Sequence, residues 1–153
     1  MVLRLPGNGD VPIPLVVPTD AGKFVKELVK LPPGQNLIAF GDRLHWADYV
    51  KLWSKVTGVP ATFEKGTLEE HAALAPWGFG EEIGEMFAYA MDFGYDGGDP
   101  SVQSAKEVSL PLQVSCDCSF TDTTSFHQKL GLDVQATRME DYIRNEDWSP
   151  LLS

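Results

Sequence analysis

Residues 18–58 constrain the fold more than any other part of the chain, because their pattern predicts a helix, a strand and a second helix with sharp boundaries. Thr19 or Asp20 can cap the first helix. Its apolar positions follow the spacing of a single buried stripe: Ala21, Phe24, Val25, Leu28 and Val29. The helix is predicted to stop at the Leu-Pro-Pro-Gly turn of residues 31–34, because proline lacks the N–H that a helix needs.

The remainder of this segment predicts a buried strand and then an amphipathic helix. Residues 37–40, Leu-Ile-Ala-Phe, are almost wholly apolar, which is typical of a strand that is covered on both faces in a parallel sheet. Gly58 lies where the C-terminal cap of the following helix is expected. The apolar side of that helix comprises Trp46, Tyr49, Val50, Trp53 and Val56. We therefore expect an α/β fold.

Further helices are predicted downstream. Thr67 with Glu70, and Thr137 with Glu140, have the spacing of a capping box, in which each side chain bonds the other residue's backbone N–H. The first box predicts a short helix, and the second predicts the start of the last helix. Between them, residues 81–93 predict a helix whose apolar stripe comprises Ile83, Met86, Phe87, Ala90 and Met91.

Several short sequence pieces follow one another along the chain: Asp-Ala-Gly-Lys-Phe-Val at 20–25, Asp-Arg-Leu at 42–44, Lys-Val-Thr-Gly-Val-Pro-Ala-Thr-Phe at 55–63, Glu-Ile-Gly-Glu-Met-Phe at 82–87, Phe-Gly-Tyr at 93–95, Leu-Gly-Leu-Asp-Val at 130–134 and Glu-Asp-Trp at 146–148. In this order and spacing, they resemble the C-terminal half of the NmrA-like family of atypical short-chain dehydrogenase/reductase proteins. The resemblance implies the C-terminal, substrate-cleft portion of a Rossmann-type NmrA-like protein. It also implies that the N-terminal nucleotide-binding half is missing, since complete members are about twice this long.

The resemblance also implies a function. Full-length relatives bind NAD(P) and act as oxidoreductases on small organic substrates or, alternatively, as redox-sensing regulatory modules that bind a transcription factor or another protein. The helix at 81–93 borders the cleft in this family, so Met86, Phe87, Tyr89 and Phe93 are expected to line the substrate pocket. The chain alone is expected to be an inactive fragment, which leaves open whether it is an enzyme. A cytoplasmic location is expected, or a nuclear one if the role is regulatory.

The sequence contains no recognisable catalytic or cofactor-binding motif. A dinucleotide fold needs a glycine-rich turn between a strand and a helix, so that the backbone can approach the pyrophosphate. The Gly7-Asn8-Gly9 sequence has neither a third glycine nor a following helical pattern. Tyr49, Tyr89 and Tyr142 lack the lysine four residues later that lowers the pKa of a catalytic tyrosine in ordinary short-chain dehydrogenases. The three histidines have no metal-ligand spacing. We expect no catalytic, cofactor-binding or metal-binding residues in this chain.

Charge and hydropathy argue against two classes of partner. The 153 residues include 12 Lys and Arg against 22 Asp and Glu, a formal net charge of −10. Such a balance argues against a nucleic-acid surface, which ordinarily shows clustered basic residues. No apolar run approaches the roughly 18 residues that a membrane span needs. The expected partners are a small-molecule substrate or a protein, with neither nucleic acid nor membrane.

Residues 108–128 depart from the pattern of the rest of the chain. They are rich in Ser and Thr and contain both cysteines, Cys116 and Cys118. A Cys-x-Cys pair near a histidine would allow a soft metal or a redox pair, although the spacing suits neither a zinc knuckle nor a relaxed disulfide. We favour the hypothesis that this irregular insertion is the translation of an unspliced intron in a fungal-type gene, because Val108-Ser109 and Gln128 at its two ends can be encoded by splice-site sequences. The NmrA-like region then comprises residues 1–107 and 129–153.

Overall fold

The structure is a computed structural model that describes residues 1–7, 9–103 and 134–152. The chain folds into two compact units. The first unit comprises Met1–Ile13 and Leu44–Pro100, and the second comprises Pro14–Arg43 and Ser101–Ser153. The proposed insertion at 108–128, with both cysteines, lies outside the described residues.

The described residues contain both helices and short strands. In chain order, the strands are β1 (Val2–Pro6), β2 (Ile13–Leu15), β3 (Asn36–Leu37), β4 (Asp42–Leu44), β5 (Thr62–Gly66) and β6 (Val102–Gln103). The helices are α1 (Ala21–Leu28), α2 (Trp46–Thr57), α3 (Leu68–Ala72), α4 (Phe79–Phe93), α5 (Met139–Asn145) and α6 (Ser149–Leu152), and a 3-10 turn at Pro18–Asp20 precedes α1. The strands pair two by two, β1 with β5, β2 with β4 and β3 with β6. The first and last of these pairs are parallel, which agrees with the predicted α/β class.

The parallel pair of β1 and β5 supports the helices of the first unit. The register runs from Val2 opposite Thr62 to Pro6 opposite Gly66. Helix α4 packs on β1, α2 packs on β5, and α3 packs on both α4 and β1. The side chains buried in this unit include Leu5, Val50, Leu52, Trp53 and Ala90. Neither strand was assigned from the sequence, because charged residues interrupt the apolar alternation in both.

Helices α3 and α4 begin and approach each other as their sequences suggest. The capping box predicted at Thr67 and Glu70 is confirmed, since Thr67 Oγ1 accepts from the Glu70 N–H and Glu70 Oε2 accepts from the Thr67 N–H. Gly80 allows the close approach of the two helices: a Cβ there would lie 2.7 Å from the carbonyl oxygens of His71 and Ala72. Helix α4 ends at Phe93, as predicted, and Gly94 is its C-cap residue.

The second unit packs α1 against the segment that leads into α5. Phe24 and Val134 are buried against each other. Half-buried apolar side chains surround them: Leu31, Leu37, Ala39 and Ala136. Phe40 and Ile143, each 1% exposed, also belong to the apolar interior of the unit.

The apolar stripe predicted for α1 is wrong in part. Phe24 is buried, but Val25 and Val29 are 58% and 74% exposed. The buried side of α1 instead includes Asp20 and Glu27. The sequence pattern could not show this rotation, because Asp20 is held by a residue more than a hundred positions away.

The strand predicted at 37–40 is shorter than expected. β3 contains only Asn36 and Leu37, which pair with Val102 and Gln103. Phe40 is buried outside any strand. Apolar runs report burial, and they do not distinguish a strand from an irregular buried segment.

The capping box predicted at Thr137 and Glu140 is also wrong. α5 begins at Met139, and its N-cap residue Arg138 makes no side-chain cap bond. Thr137 Oγ1 donates instead to Asp20 at 3.1 Å, and the Thr137 N–H donates to the same carboxylate. This also means that Asp20, at the N-cap position of α1, does not cap that helix with its side chain.

Candidate functional site

The four residues that were predicted to line a substrate pocket differ in their exposure to solvent. All four lie on α4. Phe87 is half-buried, whereas Met86, Tyr89 and Phe93 are 47%, 53% and 59% exposed. Their role in a pocket stays a prediction, and Phe87 is the least exposed of the four.

Phe87 lies at the centre of an aromatic cluster formed by α2, α3 and α4. Its ring centroid is 5.8 Å from that of Trp46 at an interplanar angle of 77°, and 5.9 Å from that of His71 at 70°. Tyr49 adds a further edge-on contact, 5.8 Å from Trp46. Edge-to-face pairs of this kind are favourable beyond the area that they bury. The cluster is therefore a packed group of rings that three helices contribute.

Backbone carbonyls hold the two histidines near this cluster. His71 Nδ1–H donates to the carbonyl oxygen of Gly80 at 2.8 Å, and His45 Nδ1–H donates to that of Gly9 at 3.3 Å. The bond to Gly80 and the contact with Phe87 together orient the His71 ring.

The indole of Trp46 supplies the most informative polar atom of the cluster. Trp46 Nε1 is buried and has no hydrogen-bond partner among the residues that the structure describes. A buried donor without an acceptor costs about 1–3 kcal/mol, and such groups are rare in native proteins. Trp46 was assigned only to the apolar side of its helix from the sequence, and no pattern could reveal that its N–H lacks a partner.

The sequence motif nearest to a dinucleotide turn does not fit the NAD(P) that the resemblance implies. Gly7 and Gly9 follow β1, but the chain continues into β2 and not into a helix. Both glycines have positive φ, and a Cβ at Gly9 would lie 2.7 Å from the ring of Phe63. A Cβ at Gly7 would overlap the side chain of Met91. These glycines make room for neighbouring side chains, whereas a pyrophosphate site needs them open to the ligand.

Two buried carboxylates form a separate polar site in the second unit. Asp20 is paired with Lys23 at 2.7 Å, and although burial raises its pKa, the bonds from Lys23 and Thr137 together lower the pKa by more, so that it lies below the usual range. Burial is also the largest effect on Asp42, and it raises the pKa of that carboxyl despite the bond from the Met139 N–H and the charge of Arg138. Both carboxylates bind the backbone just before or at the start of α5, so their role is structural.

Other candidate sites offer fewer side chains that could react with or bind a ligand. A shallow groove of about 310 Å³ lies in the second unit, lined by Leu28, Val29 and residues 31–35, and it contains none of the predicted pocket residues. Within the described residues, no three His, Cys, Asp or Glu side chains are grouped so that they could hold a metal ion.

No helix in the part of the chain that the structure describes is both long and apolar enough to cross a bilayer.

Comparison with known proteins identifies the family. No curated protein matches the chain significantly. The model of the NmrA-like family matches residues 1–134, which is most of the chain and includes α1, α2 and α4. The match ends at residue 134, so the resemblance of residues 146–148 to the family stays a prediction. This chain belongs to the NmrA-like family of NAD(P)-binding proteins.

Proposed function

We propose that this chain supplies the substrate-binding side of an NmrA-like NAD(P)-dependent oxidoreductase that acts on a small organic substrate. Membership of the family supports the class of activity. The aromatic cluster around Phe87, with the unpaired Trp46 N–H, supports the position of the substrate. The proposal therefore rests on one central observation, a buried hydrogen-bond donor among aromatic rings.

The chemistry of the cluster indicates what kind of substrate it would take. The indole N–H is only a donor, so it requires an acceptor such as a carbonyl oxygen. The rings of Phe87 and Tyr49, which both contact Trp46, favour a flat apolar group attached to that oxygen. An aromatic aldehyde or ketone has both properties. Carbonyl groups are also the groups that NAD(P)-dependent oxidoreductases reduce.

We propose that the NAD(P) cofactor binds a region that is not among the described residues of this chain. The Gly7–Gly9 turn does not fit a dinucleotide, and we infer no hydride-transfer step through it. Activity would then need a nucleotide-binding region with a strand, a glycine-rich turn and a helix, in addition to this chain. On its own, the chain is expected to bind a carbonyl compound weakly and to be inactive.

Calorimetric titration of the purified chain tests this proposal. Acetophenone is the carbonyl probe, and ethylbenzene, which has a similar shape without the oxygen, is the matched control. We expect acetophenone to bind more tightly than ethylbenzene, and Trp46→Phe to weaken acetophenone binding about three- to tenfold, as expected for one lost hydrogen bond. Equal binding of both probes would contradict the role of the indole. Saturable micromolar binding of NADPH would show that the chain does contain a cofactor site.

A second candidate function is a redox-sensing interaction module that binds a transcription factor or another protein. The observation that favours it is the outer face of α4, where Met86, Tyr89 and Phe93 are exposed beside acidic residues. Exposed aromatic and methionine side chains are enriched at protein interfaces. A pull-down at low salt from an extract of the source cells tests this candidate, which predicts that a specific protein is retained, and recovery of no partner would count against it.

A further inference from the structure

The outer face of α4 is an apolar surface exposed to solvent. It comprises Phe79, Met86, Tyr89 and Phe93, of which Phe79 is 61% exposed. At 3.6 residues per turn, these four positions lie within about 80° of one another around the helix. They extend along about 21 Å of the helix axis, since each residue adds about 1.5 Å. The face is thus an apolar stripe about four turns long, which Glu82 interrupts between Phe79 and Met86.

Two aromatic rings of this outer face pack against each other. Tyr89 and Phe93 are one turn apart, with ring centroids 4.9 Å apart. The Gly94–Gly98 turn that follows α4 comes close to Tyr89, because a Cβ at Gly97 would lie 2.6 Å from the Tyr89 hydroxyl oxygen. Trp77, which is 99% exposed, lies just before α4 at the other end of the stripe. Both ends of the stripe therefore present aromatic rings.

Acidic residues border this outer face along its length. Glu82 lies within the apolar sector of the helix, and Glu85 and Asp92 lie about 40–60° beyond its edge. None of these carboxylates forms an ion pair with a described residue. The sequence from 66 to 100 contains no Lys or Arg, but it contains the acidic residues Glu69, Glu70, Glu81, Glu82, Glu85, Asp92, Asp96 and Asp99. The surroundings of the stripe are strongly negative.

We propose that the outer face of α4 binds a basic amphipathic helix of a partner protein. An extended apolar stripe on a straight helix matches the apolar side of a second helix, which docks through residues at i, i+3, i+4 and i+7. The flanking carboxylates select a partner whose polar side carries Lys and Arg, because opposite potentials favour encounter and fix the orientation. Methionine and aromatic side chains adapt to such a helix.

Charge argues against two other occupants. A second copy of this chain would place the same carboxylates against each other, which is unfavourable. Residues 104–133 of the chain itself contain two lysines against four acidic residues, so they lack the basic side that the surface requires. This proposal rests on the second candidate function, the interaction module, and specifies the chemistry of its partner. It does not depend on the substrate site at Trp46.

Binding of a synthetic peptide to the purified chain tests the proposal. The probe is a fluorescein-labelled peptide of about 18 residues, with Leu and Trp at helical spacing on one side and Lys on the other. A scrambled peptide of the same composition, without helical periodicity, is the control. Fluorescence anisotropy at physiological ionic strength is expected to give a Kd in the micromolar range for the probe, and at least tenfold weaker binding for the scrambled peptide.

Variants of α4 test whether peptide binding depends on the apolar contact or only on charge. We expect Tyr89→Ser with Phe93→Ser to weaken binding at least tenfold, as for aromatic residues at the centre of an interface. Glu82→Lys and Glu81→Lys form a matched pair, because both residues lie in the first turn of α4 but about 100° apart. Glu82→Lys is expected to weaken binding about fivefold, and Glu81→Lys less than twofold. Circular dichroism confirms that each variant folds.

These outcomes test the docking proposal independently of the proposed substrate site. Equal binding of probe and scrambled peptide would overturn it, because it would show non-specific attraction by charge. Absence of binding, or equal effects of the two glutamate variants, would overturn it as well. Neither result would affect the titration of acetophenone, which reports on Trp46.

Discussion

The buried carboxylate of Asp42 accepts a hydrogen bond from the backbone N–H of Met139 at 2.6 Å, across 97 positions of the sequence. Met139 is the first residue of α5, so Asp42 satisfies one of the N–H groups that a helix leaves unpaired at its start. A negative charge is also favourable at this end of a helix. Arg138, the residue before the helix, lies 2.8 Å from the same carboxylate. Asp42 thus acts as a long-range cap for α5.

Removing this cap is expected to destabilise the protein strongly. Asp42→Ala should lower the free energy of unfolding by about 1–3 kcal/mol, because it leaves the buried N–H of Met139 without its acceptor. Asp48→Ala is the matched control, since Asp48 forms an exposed ion pair with Lys51 and should cost about 1 kcal/mol or less. Urea unfolding measures both. Equal losses for the two variants would show that the Asp42 contacts do not stabilise α5.

The two buried aspartates should respond to acid in opposite directions. The pKa of Asp20 is lowered in the folded protein, so its contribution to stability is present above the ordinary value of about 4 and is lost as the pH falls through the folded pKa. The pKa of Asp42 is raised, so the folded state takes up the proton first, and stability is gained as the pH falls through that raised value toward about 4.

Aspartate-to-asparagine variants separate these two effects. Unfolding free energies are compared by urea titration at several pH values between about 3 and 7. Relative to Asp20→Asn, the wild-type chain should lose stability on acidification; relative to Asp42→Asn, it should gain stability. The same sign for both differences would contradict the assigned pKa directions.

Two glycine-to-alanine variants, one in each unit, test the described packing. Gly80→Ala should destabilise the protein by about 1–3 kcal/mol, because the new Cβ meets two carbonyl oxygens of the neighbouring helix. Gly22→Ala, in α1, has no atom within 4 Å of the new Cβ and should stabilise the protein by about 0.5–1 kcal/mol. Thermal unfolding compares the two variants. A neutral Gly80→Ala would show that α3 and α4 do not pack as closely as described.

Sequence pattern predicted the local features of this fold and missed the distant ones. The capping boxes at Thr67 and Thr137 have the same spacing, but only the first forms, because Asp20 takes the Thr137 hydroxyl as a donor. The rotation of α1, which exposes Val25, has a similar origin in the burial of Asp20. Helix periodicity depends on neighbours along the chain. Contacts across more than ninety positions leave no local signal.

Prediction of the candidate site from the sequence has the same limit. Phe87 was predicted from the resemblance, and its helix was predicted from the spacing of apolar residues. Trp46 and His71 join it from two other helices, and neither was predicted to be near it. The unpaired indole N–H depends on the absence of an acceptor among the described residues, which only the folded arrangement can show.

The central claim, a carbonyl-binding site at Trp46, is tested most directly by nuclear magnetic resonance of the indole N–H groups during titration with acetophenone. The chain labelled with ¹⁵N gives separate indole signals for Trp46, Trp53, Trp77 and Trp148, which single Trp→Phe variants assign. We predict a saturable shift of the Trp46 signal that ethylbenzene does not reproduce, with the other three signals nearly unchanged. A shift confined to the exposed Trp77, or no shift at Trp46 at saturating acetophenone, would contradict the account.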